Sequence, residues 1–244
     1  MRALVTALLP LLVLGCAGTD APPAPEPDSA PYVFCLLVAG ESREDHDAAA
    51  RERIQAEHLA NIERLAESGD ILIAGPFGAP NPDPRRRGVF IFDADSLARA
   101  EALTRTDPAV KAGVLGMELA PLRSSPRWRE IAALERETSE RLRREKPGEP
   151  AFEIRGYTLL LVAEARDEAQ AAAVAALEAA GHTVLEGRLG APMADRRLVI
   201  LDLADPDEAR KIVESTLGRP GGPTYEMHPW WASANIARLG ATLR

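Results

Sequence analysis

Short continuous apolar runs alternate along the chain with longer stretches whose apolar residues recur at helical spacing. The run Tyr32-Val-Phe-Cys-Leu-Leu-Val predicts a strand over 32–38, and Ile54, Leu59, Ile62 and Leu65 predict a helix over 47–68 that ends at Gly69. Short apolar strands are expected at 70–75 and 88–93 on either side of a Pro- and Gly-rich loop, followed by a helix at 95–105 and a strand at 113–120. The same order returns at about 156–163, 166–180, 182–187, 196–202, 205–217 and 224–228, with Trp230 and Trp231 after the last strand. Two direct matches support the repeat: ILIAGPFGAP at 71–80 reads against TVLEGRLGAP at 183–192, and RRGVFIFDAD at 86–95 reads against RRLVILDLAD at 196–205.

Each unit therefore has the order βαββαβ, a ferredoxin-like antiparallel sheet with both helices on one face. The uncovered face of one such sheet needs a partner. Two units in one chain supply it, which predicts an α+β protein of two tandem ferredoxin-like units forming an intrachain pseudo-dimeric α/β barrel. Between them, 123–150 is a charged connecting segment: Ser125 is the expected N-cap, Pro126 stands in the first turn, and Trp128, Ile131 and Leu134 could seat it while the remaining charged residues stay solvated. The expected organisation is 1–15, 16–31, 32–122, 123–150 and 151–244.

The first 15 residues combine Arg2, an apolar run from Ala3 to Leu14 and a small residue before Cys16, the parts of a secretory signal too short to span a bilayer. The ending Leu-Val-Leu-Gly-Cys resembles the lipobox of bacterial lipoproteins, which implies that Cys16 is lipidated and holds the protein at the membrane of a bacterial cell envelope, facing the periplasm or exterior. The proline-rich stretch 17–31 then reads as an extended tether. Composition narrows the partners further. With 29 basic and 37 acidic residues the net charge is −8, which offers no basic surface for nucleic acid. The 4 His and 2 Cys have no zinc-ligand spacing, and no cofactor is expected. Cys35 lies in an apolar strand and reads as a buried thiol.

Three short motifs carry the candidate chemistry: His58 in the first helix, the strand end Ala74-Gly75-Pro76, and Thr106-Asp107-Pro108 before Ala112-Gly113-Val114. In order and spacing over about 32–122 they resemble the YciI-like (YCII-related domain) family of the dimeric α/β-barrel superfamily. The resemblance implies a His58–Asp107 pair as the active site, acting as general acid and base on a small organic substrate in the manner of a lyase or isomerase. An imidazole oriented by a carboxylate suits that chemistry near neutral pH. Read without the resemblance, His58 is a helix histidine and Asp107-Pro108 a turn.

Gly75, Pro76 and Arg87 are the candidate substrate-binding residues, Arg85-Arg86-Arg87 being matched by Arg196-Arg197 in the second unit. That unit has no His in its first helix and no Asp-Pro before its last strand, while His182 begins a strand and His228 follows one. A degenerate second copy also fits a non-catalytic ligand-binding module or an envelope scaffold. A small-molecule ligand, the membrane and a second copy of the chain are the expected partners.

Overall fold

The structure, a computed structural model, describes residues 29–243. The signal segment, Cys16 and the tether up to residue 28 lie outside the described residues. No helix among the described residues is long and apolar enough to cross a membrane.

The first half runs β1 (Ala30–Ala39), α1 (Ala48–Glu67), β2 (Ile71–Pro76), β3 (Arg86–Phe92), α2 (Leu97–Thr104), α3 (Pro108–Lys111) and β4 (Leu115–Ser124). After α4 (Glu130–Glu145) the second half runs β5 (Ile154–Ala163), α5 (Glu168–Ala179), β6 (Thr183–Leu189), β7 (Arg196–Leu201), α6 (Pro206–Thr216) and β8 (Tyr225–Ser233), and α7 (Asn235–Leu243) closes the chain. All eight strands form one antiparallel sheet in the order β2-β3-β1-β4-β6-β7-β5-β8. Each half contributes the ferredoxin-like order, and the sheet curls into a nearly closed barrel, as the alternation of apolar runs predicts.

Its two seams correspond residue for residue. At one, Leu122 pairs with Leu189 and Gly190 N–H donates to Pro121 O at 2.7 Å. At the other, Phe77 bridges Trp230 and Gly78 N–H donates to Pro229 O at 2.8 Å. The second seam is the looser: a single bridge stands where the first has three consecutive pairs.

Period-two alternation sorts the side chains. Tyr32, Phe34 and Leu36 of β1 and Tyr157, Leu159 and Leu161 of β5 point into the barrel, where they meet Trp230 and Ala232. Val33, Cys35 and Leu37 instead pack under α1 and α2, and Leu160 and Val162 under α5 and α6. Three apolar layers result, and the central one belongs to both halves.

Four features differ from expectation. Strand β8 runs on through His228, Trp230 and Trp231 because, below the seam, Tyr157 and Gly156 of β5 continue to pair with it. Residues 108–111 form a short helix, capped by Asp107. Helix α4 is more than a solvated connector: Trp128 just ahead of it and Ile131, Thr138 and Leu142 within it are buried, and it lies against α7 over one end of the barrel. Helix α1 buries the stripe His58, Asn61 and Leu65, leaving Leu59 54 % exposed, so the apolar spacing pointed one position away from the true face.

Candidate active site

The rotation of α1 is what brings His58 to a buried position. Residues 54, 58, 61, 62 and 65 share its inward side, so a histidine and an asparagine interrupt an otherwise apolar stripe. Helix propensity gives no reason for either. Their partners come from the turn after α2, where the chain folds back at Thr106-Asp107 and restarts at Pro108. Proline at the first position of α3 leaves its N-terminus to the Asp107 side chain, which accepts from Ala109 N–H at 2.8 Å.

The same carboxylate receives His58. Nδ1 lies 2.9 Å from Oδ1 and 2.7 Å from Oδ2, and both residues are buried, His58 at 6 % and Asp107 at 1 % exposure. A carboxylate so placed can only accept, which puts the imidazole proton on Nδ1 and the lone pair of the neutral ring on Nε2. Nε2 makes no hydrogen bond to any described residue. Phe90 stacks on the ring with centroids 6.1 Å apart.

Asn61, one turn further along α1, supports the arrangement from the side. Its Oδ1 accepts from Thr106 Oγ1 at 3.1 Å and from an Arg64 guanidinium nitrogen at 2.7 Å, which ties the turn carrying Asp107 to the helix carrying His58. Asn61 Nδ2 is buried without a partner among the described residues. No sequence motif pointed to Asn61; the signal was its place three residues after His58, on the same side of the helix. Cys35 lies beneath. Burial, with the Asp107 charge adding to it, holds its thiol far above the ordinary range, so it is no nucleophile.

Gly75, Pro76 and Arg87 are not drawn to this pair. A Cβ on Gly75 would stand 1.9 Å from the Trp231 carbonyl oxygen, and Gly75 O accepts from Trp230 Nε1 at 2.9 Å. Its glycine is thus required by close approach at the seam. Gly187, its counterpart, meets Leu122 and Arg123 in the same way. Pro76 and Arg87 border a shallow cavity of about 280 Å³ beside the 77–87 loop. A second cavity, of about 570 Å³, lies where that loop meets β8 and α6. Neither cavity is lined by His58 or Asp107.

At that end of the barrel the matched arginines find a common partner. Arg86 and Arg196, which hold equivalent places on β3 and β7, both donate to Glu226 of β8, the latter at 2.5 Å. The neighbouring His228 ring and these two guanidiniums hold the Glu226 carboxyl at about 2. His228 Nε2 stands 3.8 Å from Glu226 Oε2, beyond hydrogen-bond length, and its ring stacks on Phe77 with centroids 4.3 Å apart. Among the described residues no group of three or more His, Cys, Asp or Glu is placed to hold a metal ion.

Comparison with known proteins bears on both halves. Residues 33–120 match the YCII-related domain family. Among solved structures, the chain is similar to 5-chloro-2-hydroxyhydroquinone dehydrochlorinase from Burkholderia phenoliruptrix, at 23 % identity over 36 % of this chain and 89 % of that one, with a TM-score of 0.27. Over a longer span it is similar to a mutant chlorite dismutase from Candidatus Nitrospira defluvii, at 14 % identity, 88 % of this chain, 94 % of that one and a TM-score of 0.51. A second mutant of that enzyme gives 14 % identity, coverages of 89 % and 96 %, and a TM-score of 0.51. The longer likenesses concern the fold. No curated protein sequence matches the chain.

Proposed function

We propose that the first half of the chain is an acid–base catalyst of the lyase or isomerase type for a small organic molecule, with His58 transferring the proton and Asp107 orienting it. The observation that carries this reading is the His58 ring itself, whose Nδ1 is committed to a buried carboxylate while Nε2 keeps its lone pair. Such a nitrogen can take a proton from a carbon beside a carbonyl, and the imidazolium that forms is stabilised by Asp107 without any movement of the pair. Returning the proton to a neighbouring atom gives an isomerisation; losing a leaving group from the adjacent carbon gives an elimination. The match of residues 33–120 to the YCII-related domain supports the assignment. Lipidation at Cys16, with the protein held to a bacterial membrane by its tether, completes the proposal.

The test is solvent exchange, which reads proton transfer at carbon whatever product follows. The protein is incubated in D2O with a panel of small carbonyl acids and phenols, and deuterium incorporation at carbon is followed by NMR. The proposal expects exchange in at least one compound and its loss in His58→Ala. Exchange that survives in His58→Ala, or none across the panel, counts against it. A second reading, a ligand-binding module without turnover, is favoured by one observation: neither cavity described above is lined by His58 or Asp107.

A further inference from the structure

The cavity of about 570 Å³ lies at the looser seam, between the loop before β3, strand β8 and helix α6, and is of a size that takes a small metabolite. Its apolar lining is supplied by Pro80, Pro82, Pro206, Pro229 and Met227, beside Asn81 and a set of charged residues. The charges around it divide into two groups. Arg86 and Glu226 are bound to each other, and Asp83 lies 3.6 Å from the same guanidinium. Arg210 and Glu214 also line the cavity, one turn apart on α6, yet neither makes an ion pair with the other or with any other described residue. Arginine preceding glutamate by four positions is the less favourable order for pairing along a helix, so the two charges remain available to a third partner. The Tyr225 hydroxyl, on the same wall, is likewise without a hydrogen bond to any described residue, and burial raises its pKa, which keeps it a donor.

A separate feature marks the same place. His228, which also borders the cavity, is 1 % exposed, and neither ring nitrogen has a hydrogen bond to a described residue, Nε2 lying 3.8 Å from the Glu226 carboxylate. A polar group left in that condition costs stability unless something binds it, and the equivalent register position of the first half, opposite Phe34, holds Ala120 instead. The second half has therefore placed a histidine where the first half has an alanine.

We propose that this cavity is a second binding site, separate from the His58–Asp107 pair, for a small zwitterion with an apolar body, that is, an α-amino acid with an apolar or aromatic side chain. Arg210 and the Tyr225 hydroxyl hold its carboxylate, Glu214 its ammonium group, and the proline and methionine walls its side chain. The site does not depend on the proposed catalysis.

The experiment is a ligand-observed NMR titration of the protein with three probes of similar size: L-phenylalanine, 3-phenylpropionate and phenethylamine. Phenylalanine binds, and each probe lacking one charge binds about tenfold more weakly or worse. Arg210→Gln and Glu214→Gln, both at exposed positions of α6, keep the wild-type circular dichroism spectrum and each weaken phenylalanine by about tenfold. His58→Asn binds it as the wild type does. The proposal is overturned if phenylalanine does not bind, if the three probes bind alike, if either α6 variant binds phenylalanine unchanged, or if His58→Asn abolishes the interaction.

Discussion

Asp107 serves two purposes at once, and substitution can separate them. It caps α3 through Ala109 N–H and anchors the His58 ring. Asn is as good an N-cap as Asp but cannot play the anionic acceptor, so Asp107→Asn is expected to melt within about 1 kcal/mol of the wild type while turnover falls about 10²- to 10⁴-fold. Asp107→Ala removes both roles and leaves a buried imidazole unpaired, a loss of about 2–4 kcal/mol by denaturant titration. A pair that was only structural would show the opposite ordering, with stability lost and no turnover to lose. Glu226 gives a prediction in pH. Its carboxyl is held at about 2, below the ordinary 4.5, so the folded state binds fewer protons than the unfolded one. The stability it contributes is full above pH 4.5 and is lost as pH falls from 4.5 toward 2. Glu226→Gln should therefore be less stable at neutral pH and show a flatter acid limb in that window; an unchanged pH–stability curve would sink the claim.

At the scale of elements, the two seams make different demands on their side chains. Trp230 fills the barrel and donates to Gly75 O, whereas its neighbour Trp231 points outward at 48 % exposure. Trp230→Ala should cost about 3–5 kcal/mol and Trp231→Ala under about 1 kcal/mol, read from chemical denaturation. Adjacent residues with equal chemistry thus differ through strand parity alone. The fold was legible because short continuous apolar runs and the matched ILIAGPFGAP and TVLEGRLGAP segments identify strands and their order across two units. The C-terminal part was harder to read. Beyond residue 228 a proline and two tryptophans look like the end of a strand, and only the partner strand β5, distant in sequence, explains why β8 continues to Ser233. The candidate site was legible in part. His58 and Asp107 were found through motif order, but Asn61 was not, because its role depends on which side of α1 faces inward, and the apolar residues misplaced that side by including Leu59. The shared attachment of Arg86 and Arg196 to one glutamate could be suspected from their matched positions, though the carboxylate between them comes from a strand that no local pattern links to either.

For the whole molecule, the decisive fact is that the central apolar layer is built by both halves. Tyr32, Phe34 and Leu36 lose their cover when everything after residue 124 is removed, β5 to β8 together with the Trp128 that stacks on Tyr32. A fragment of residues 29–124 is expected to self-associate through that face rather than remain monomeric, as sedimentation would show, since an exposed apolar sheet of this extent is not sustained in water. A monomeric, folded fragment would mean that the halves do not depend on one another. The His58–Asp107 pair sits outside this shared layer, under α1, and the seam cavity lies at the barrel end, so the proposed acid–base site and the proposed second binding site occupy separate parts of one scaffold.

The central claim is that His58 is presented as a base through Nε2, and imidazole nitrogen NMR tests it most directly. In a long-range proton–nitrogen spectrum of the neutral ring, the account predicts the proton on Nδ1, with the tautomer changed or averaged in Asp107→Asn. A proton resident on Nε2 in the wild type, or a spectrum indifferent to Asp107, would contradict it.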